Sequence, residues 1–513
     1  KGGEMVRNIL DYLESSEKLV PDQIAFADEK VSCTYRELKQ TAKAIGTYLA
    51  DRVSPGSPVP VFMEKGVSAV CAFMGAVYAG CFYVMLDPKL PAERLRKILY
   101  TLDADVVLTE ENYKKQYQAL AFGAKQIDIG EAEQSAVNEE KLAEIRQRSQ
   151  DTDPLYTMFT SGSTGVPKGV VVSHRSVIDF IEEFTELFGI EPKDVIGNQA
   201  PFDFDVSVKD IYSTLKTGAT MQIIPKKLFS FPVKLLDYLE ERQVTTLIWA
   251  VSALCIITTL KGFEYKVPRQ IKKVIFSGEV MPVRHLNEWR SYLPDALYVN
   301  VYGPTEITCN CTYYIVDREF ELGEQIPIGQ AFPNEKVFLL DEQDHLVKET
   351  GKKGELCVAG TALSLGYYRN PEQTKKVFVQ NPLNDRYMET IYRTGDLAYY
   401  GEDGQLYFAT RKDFQIKHMG HRIELGEIEA AMERVESLKR SVCLYEERKQ
   451  KIVAFYAGEA EKRQLHRILG EVLPSFMIPN VFVKVLEFPV TKNGKIDRKH
   501  LMELYEEGQY ERG

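Results

Sequence analysis

The sequence contains no apolar run approaching the ~20 residues that a membrane-spanning helix requires. Its first residues, KGGEMVRNIL, contain no long apolar stretch of the kind a secretory leader carries. Membrane insertion and a signal peptide are therefore not expected. A basic excess is also missing: 64 lysines and arginines stand against 74 aspartates and glutamates, a formal charge of −10. Nucleic-acid binding, which draws a basic stripe, is not expected either. Internal repeats and low-complexity tracts are absent. Cysteine is sparse and dispersed, with eight residues at 33, 71, 81, 255, 309, 311, 357 and 443, each in an apolar neighbourhood. That reads as reduced packing cysteine in a cytoplasmic protein rather than a disulfide framework. The one close pair, Cys309 and Cys311, has no further ligand beside it and lies in a strand-like pattern, which argues against a zinc site.

What the sequence does have is length and alternation. A chain of 513 residues exceeds what one hydrophobic core organises. PAERLRKILYTLDA (91–104) aligns Leu95, Ile98, Leu99 and Leu102 on one helical face, and DVVLTE follows as a short buried strand. SVIDFIEEFTELFG (176–189) reads as a helix opened by Ser176 and Asp179 in capping-box spacing and stopped by Gly189. Strand-like runs recur at TMQIIP, TTLIWAV, KKVIFSGEV and ALYVNVYG. Strands separated by helices predict an α/β protein with two doubly wound layers. From about 325 the texture changes to short strands with Asp/Gly turns (KVFLLDE, GELCVAG, GQLYFAT), a β-rich subdomain. After about 412, helix and strand patterns predict a separate small α+β domain. The expected division is a large domain over 1–411 and a small one over 412–513.

FTSGSTGVPKGV (159–170) packs glycines and hydroxyl residues around Lys168, between the strand-like LYTMF and GVVVSH. Glycines let backbone approach a ligand closely. Successive N–H groups, hydroxyls and a cation then suit a phosphate. The Walker A spacing G-x-x-x-x-G-K-[ST] is not met, because Gly162 and Gly165 are too close and Pro167 precedes the lysine.

This stretch resembles the phosphate loop of the adenylate-forming enzymes: acyl-CoA synthetases, luciferases and the amino-acid-activating domains of non-ribosomal peptide synthesis. Further segments match in the family's order. FDFDVSV (202–208) resembles its acyl-pocket segment and NVYGPTE (300–306) its adenine and metal segment. GELCVAGTALSLGYYRNPEQT (354–374) and YRTGD (392–396) resemble the next two. RKDFQIKHMGHRIELGEIE (411–429) resembles the hinge motif and NGKIDR (493–498) the C-terminal lysine motif. The likeness runs from about residue 34 to about 498.

The resemblance implies two steps: a carboxylate and ATP form an acyl-adenylate and pyrophosphate, and a thiol then takes the acyl group as AMP leaves. It implies phosphate contacts from Thr160, Ser161, Gly162, Ser163, Thr164, Gly165 and Lys168. Adenine would lie against Tyr302 and Asn300, within the segment that also holds Val301, Gly303, Pro304 and Thr305. Glu306 would hold Mg²⁺, Asp396 the ribose hydroxyls with Arg411 nearby, and Lys495 would bridge the substrate carboxylate and the α-phosphate as the catalytic residue. Asp413 matches the hinge about which the small domain pivots. The residue before Arg411 is Thr410, where the family usually has glycine.

Asp205 matches the aspartate with which amino-acid-activating members pair the substrate's α-ammonium; the alternative is an aspartate that caps a helix. Ser277, Gly278 and Cys309 belong to the same implied pocket. The segments NQAPFDFDVSVKDIY and SGEVMP look most like the D-alanine–carrier protein ligases, which load D-alanine onto the phosphopantetheine of a small carrier for teichoic acid modification. Those enzymes typically carry cysteine where this chain has Ser277. The pocket positions would also include Lys209, Trp249, Ile275, Val301 and Asn310. Trp249 would shrink the pocket, while Lys209 either pairs with an acidic substrate side chain or points to solvent. The expectation is a monomeric, cytoplasmic amino acid–carrier protein ligase that uses ATP and Mg²⁺, with D-alanine the leading substrate. A free-standing peptide-synthetase adenylation domain for another amino acid, and less so an acyl-CoA synthetase, are the alternatives.

Overall fold

The computed structural model describes residues 6–162, 166–412, 415–490 and 496–510. The chain forms two compact units. The first comprises Lys1–Pro88, Leu102–Met158 and Gly169–Thr410; the second comprises Lys89–Thr101, Phe159–Lys168 and Arg411–Gly513.

The largest sheet of the first unit has nine strands, in the order Gln330–Ala331, Thr312–Ile315, Leu297–Tyr302, Lys273–Ser277, Thr246–Ala250, Val195–Asn198, Thr220–Ile223, Ile24–Ala27 and Ser32–Thr34. From Leu297–Tyr302 to Ile24–Ala27 every pairing is parallel. Parallel strands are covered by helices on both faces, so they read as unbroken apolar runs; Thr246–Ala250 is buried at every position. The period of two still sorts the side chains. Ile248, Ile275, Val299 and Val301 enter one core. Leu247, Trp249, Val274, Phe276 and Tyr298 enter another, on the opposite face.

The first core also takes Val59 and Val61 from a second sheet, ordered Lys125–Asp128, Val106–Thr109, Pro58–Phe62, Phe82–Leu86, Pro154–Thr160 and Lys168–Ser173. The helix Val67–Tyr78 belongs to that core and is buried along almost its whole length. It meets the helix Tyr35–Ala50 so closely that a Cβ on Gly75 would lie 2.4 Å from Ile45 Cγ2. The doubly wound α/β layers are thus as expected. The β-rich part is an antiparallel sheet built on Glu335–Leu340, Gly354–Gly360 and Thr390–Tyr400. One helix starts earlier than its sequence suggests: His174–Leu187 is capped by Ser173, whose hydroxyl accepts the Ser176 N–H. Asp179 instead accepts a hydrogen bond from Asn334.

In the second unit, Gln415–His418 and His421–Glu424 form a hairpin. Its turn, Met419 and Gly420, has φ of +51° and +79°, as a two-residue type I′ connection requires. A three-stranded sheet, Leu438–Glu446, Lys451–Gly458 and Val481–Lys484, is covered on opposite faces. Cys443, Ile452 and Ala454 face the helices Leu425–Met432 and Lys462–Val472. Val442, Val453 and Phe455 face Leu501 and Tyr505 of the helix Arg498–Glu506. No helix among the described residues is long and apolar enough to cross a membrane.

Candidate active site

Phe202–Asp205 is a turn that leads into the helix Val206–Thr217. Asp205 occupies the N-cap position with helical backbone angles, and its side chain makes no capping bond. Its carbonyl accepts the Cys309 thiol at 3.1 Å. Four residues on, and therefore on the same helix face, Lys209 is 1% exposed. It does not point to solvent. Its ammonium donates to Asn310 Oδ1 at 2.8 Å and to Ser277 Oγ at 3.3 Å. Burial pushes the lysine pKa down, against the pull of Cys309, Asp205 and Asp210. Ser277 ends its strand, and Gly278 follows in the left-handed region at φ +94°.

Trp249 is not part of this group. It pairs in register with Phe276 and shares its face, and its indole N–H donates to Gly197 O at 2.7 Å. The neighbour that shares Ser277's register and face is Ala250. An aromatic ring that was expected to narrow the pocket is therefore replaced there by a methyl group.

The segment 300–306 leaves the end of the strand Leu297–Tyr302. At Gly303 a Cβ would lie 2.4 Å from Asn310 Cα and 2.7 Å from Cys309 O, so glycine is what lets the chain double back. Thr308 and Cys309 take left-handed φ of +52° and +75°, and the Cys311 N–H closes onto Tyr302 O at 2.8 Å. This turn sets Asn310 against Lys209. The Tyr302 hydroxyl donates to the Asp396 carboxylate, which is 1% exposed. Asn300 donates its side-chain amide to Pro327 O at 2.7 Å, and Val301 is in the core. Pro304 leads into the short 3₁₀ turn Thr305–Ile307, which carries Glu306. Glu306 is completely buried; its Oε1 accepts the Tyr367 hydroxyl at 2.7 Å, and its carbonyl accepts the Ser364 N–H at 2.8 Å. Among the described residues no three or more His, Cys, Asp or Glu side chains gather into a metal cage. A lone carboxylate fits Mg²⁺, which keeps water and phosphate oxygens as its other ligands.

The second unit carries Thr160, Ser161, Gly162, Lys168 and Arg411. A Cβ on Gly162 would meet Val166 O at 2.0 Å, a backbone contact that only glycine permits. The Ser161 hydroxyl donates to Arg422 O at 2.9 Å and accepts the Glu424 N–H at 3.2 Å. The Gly162 N–H donates to Glu427 Oε2 at 3.3 Å, and Lys168 Nζ lies 3.7 Å from Glu424 Oε1. Arg94 holds the other Glu427 oxygen at 2.7 Å in a buried ion pair. In this conformation the Gly162 N–H and the Lys168 ammonium thus face carboxylates. Ser163, Thr164, Gly165, Asp413 and Lys495 lie outside the described residues.

Sequence reasoning passed over Tyr367, Ala250 and the Arg94–Glu427 pair. Tyr367 and Glu427 lie inside segments already recognised as motifs, which was the available signal. Arg94 had none, being one of several charges on an amphipathic helix.

Residues 13–368 match the AMP-binding enzyme family. Zwittermicin A synthase ZmaJ of Bacillus cereus is 33% identical over 494 residues, covering 94% of this chain and 92% of that protein. Tyrocidine synthase 1 of Brevibacillus parabrevis is 31% identical over 503 residues, and the chain spans only 45% of it. Among solved structures, holo-PA1221, an NRPS protein containing adenylation and PCP domains, superposes with a TM-score of 0.82 at 24% identity, covering 97% of this chain and 84% of that one, and so shares the fold. The chain belongs to the AMP-binding enzyme family and is an adenylate-forming enzyme.

Proposed function

We propose that the chain activates an amino acid with ATP and passes it to the phosphopantetheine thiol of a carrier protein. In the first step a substrate carboxylate oxygen attacks the α-phosphorus and the bond to the β-phosphate oxygen breaks, releasing pyrophosphate. In the second step the carrier thiolate attacks the aminoacyl carbon and AMP leaves. Charge builds on phosphoryl oxygens in the first step, so positioned cations and donors do most of the catalysis. Thr160, Ser161, Gly162, Ser163, Thr164, Gly165 and Lys168 are assigned to the phosphates. Asn300 and Tyr302 are assigned to adenine, within 300–305, and Asp396 with Arg411 to the ribose. Lys495 is assigned to the developing charge at the α-phosphate. Mg²⁺, held by Glu306, would neutralise phosphoryl charge. In this reading residues 1–411 act as the large domain and 412–513 as a lid turning about Asp413. In this reading the protein works as a cytoplasmic monomer.

The observation that carries the amino-acid reading is Asp205. It sits at the head of a helix without capping it, beside the Cys309 turn, where a carboxylate suits an α-ammonium and has no role toward a fatty or aryl acid. Two substrate readings then divide. D-alanine is supported by the sequence around 198–212. An amino acid other than D-alanine, activated by a peptide-synthetase-type domain, is supported by Lys209, a buried cation that a methyl side chain would leave unanswered, and it agrees with the relatives named above. We adopt the second.

The test is amino-acid-dependent ATP–pyrophosphate exchange over a panel of D- and L-acids. The Asp205→Ala protein is expected to lose exchange with every amino acid. Undiminished exchange in that variant sinks the assignment of Asp205, and D-alanine leading the panel returns the first reading.

A further inference from the structure

Building on the amino-acid reading, we propose that Lys209, with Ser277 and Asn310, binds a side-chain carboxylate, so that the substrate is a dicarboxylic amino acid of the aspartate or glutamate class. Lys209 is buried on a helix that sends Val208, Ile211, Tyr212 and Leu215 into the core, and whose other buried side chains are Ser207, Asp210, Ser213 and Thr214. A lysine taken out of water is costly unless an opposite charge meets it. Among the described residues its hydrogen bonds go to two neutral groups, and it makes no ion pair. Asp210, adjacent in sequence, accepts its hydrogen bond from Asn198 instead, at 2.6 Å. An apolar side chain would fill the same place without that cost, so packing alone does not account for the residue.

The surroundings complete a carboxylate site. An ammonium has three donors, and two are engaged. The Ser277 hydroxyl and the Asn310 amide, each already beside the ammonium, both carry protons to donate. Three donor groups thus converge where an anion with four lone-pair positions fits. The spacing agrees as well. Asp205 and Lys209 are separated by one helical turn, about 6 Å of rise. An acid with one or two methylenes between Cα and its second carboxyl spans that distance, its ammonium toward the aspartate and its carboxylate toward the lysine. Ala250, paired with Ser277, presents only a methyl group beside it.

The experiment is exchange by the full chain with L- and D-aspartate, glutamate, asparagine, glutamine and alanine, together with acids lacking an amino group. A dicarboxylic amino acid is expected to lead in kcat/KM, ahead of its own amide by at least tenfold. In Lys209→Met the ratio of that acid to alanine is expected to fall at least 100-fold, while Lys209→Arg, which keeps a cation, retains the order of preference. That reversal is a readout a purely structural lysine would not produce, and the arginine variant covers the case in which methionine unfolds the chain. An amide or an apolar amino acid leading the wild-type panel overturns the role of Lys209 and leaves the amino-acid reading standing. An acid without an amino group leading it, with Asp205→Asn indifferent, overturns the amino-acid reading itself.

Discussion

The Tyr367 hydroxyl donates to Glu306 Oε1 across 2.7 Å, with both side chains buried. A fully buried carboxylate that accepts such a bond is held in one orientation. Removing the hydroxyl in Tyr367→Phe leaves the glutamate under-satisfied, at a cost of about 1–3 kcal/mol. The expected outcome is a several-fold rise in the Mg²⁺ concentration giving half-maximal exchange. Glu306→Gln is expected to lower exchange by about 100-fold, a size typical of losing one electrostatic stabiliser of a charged transition state. A Mg²⁺ titration unchanged in both variants would make Glu306 a structural residue.

Lys495 gives a sharper division between the two half-reactions. If it steadies charge at the α-phosphate, Lys495→Ala should lose at least about 100-fold in exchange. Transfer from a supplied aminoacyl-adenylate to a phosphopantetheine thiol should persist, because that step forms no phosphoryl transition state. Equal loss of both half-reactions would remove Lys495 from its assigned place.

The layered α/β architecture and the loop at 159–170 were legible because their signals are local. Apolar runs such as TLIWA, and glycines among hydroxyls beside a lysine, declare themselves within a few residues. The face of Trp249 was not legible, and the reason is physical: a central parallel strand is apolar on both faces, so its pattern carries no phase. Lys209 failed differently, since a charged residue one turn from Asp205 reads equally well as solvated, and only the turn at Thr308–Cys309 buries it under Asn310. The Arg94–Glu427 pair joins residues 333 positions apart and leaves no trace in either segment. The cap at Ser173 was misread because Ser173 and Ser176 both fit a helix start; their two hydroxyls lie 2.9 Å apart.

The register of the central sheet makes a specificity prediction. Ala250 and Ser277 are paired and share a face, while Trp249 and Phe276 are paired on the other. Ala250→Val therefore adds two methyl groups beside Ser277 and is expected to depress exchange at least tenfold for the preferred acid, through KM. Trp249→Phe is expected to lower thermal stability, because it leaves a gap in a filled core and removes the donor to Gly197 O. It should not reorder the amino-acid panel. A reordered panel for Trp249→Phe alone would reverse the assignment of faces.

His174 supplies a pH dependence of stability. Its ring is buried, and Nδ1 accepts the Ile9 N–H at 3.2 Å, so the folded protein holds the neutral form. Burial, helped by Arg146 and opposed by Asp11, brings its pKa down to about 3. In the unfolded chain it titrates near the ordinary value of about 6.5. Above that pH the ring is neutral in both states and contributes nothing. As pH falls below it, the unfolded chain binds a proton that the folded one refuses, so stability drops by up to about 1.4 kcal/mol per pH unit until the folded ring titrates. At pH 5 this amounts to about 2 kcal/mol. His174→Gln keeps an acceptor for Ile9 and removes the titration. Its urea midpoint is expected to lie below wild type at pH 7 and to fall less between pH 7 and pH 5. Parallel decline of the two proteins over that interval would mean that the folded state takes up the proton at His174 as readily as the unfolded chain does.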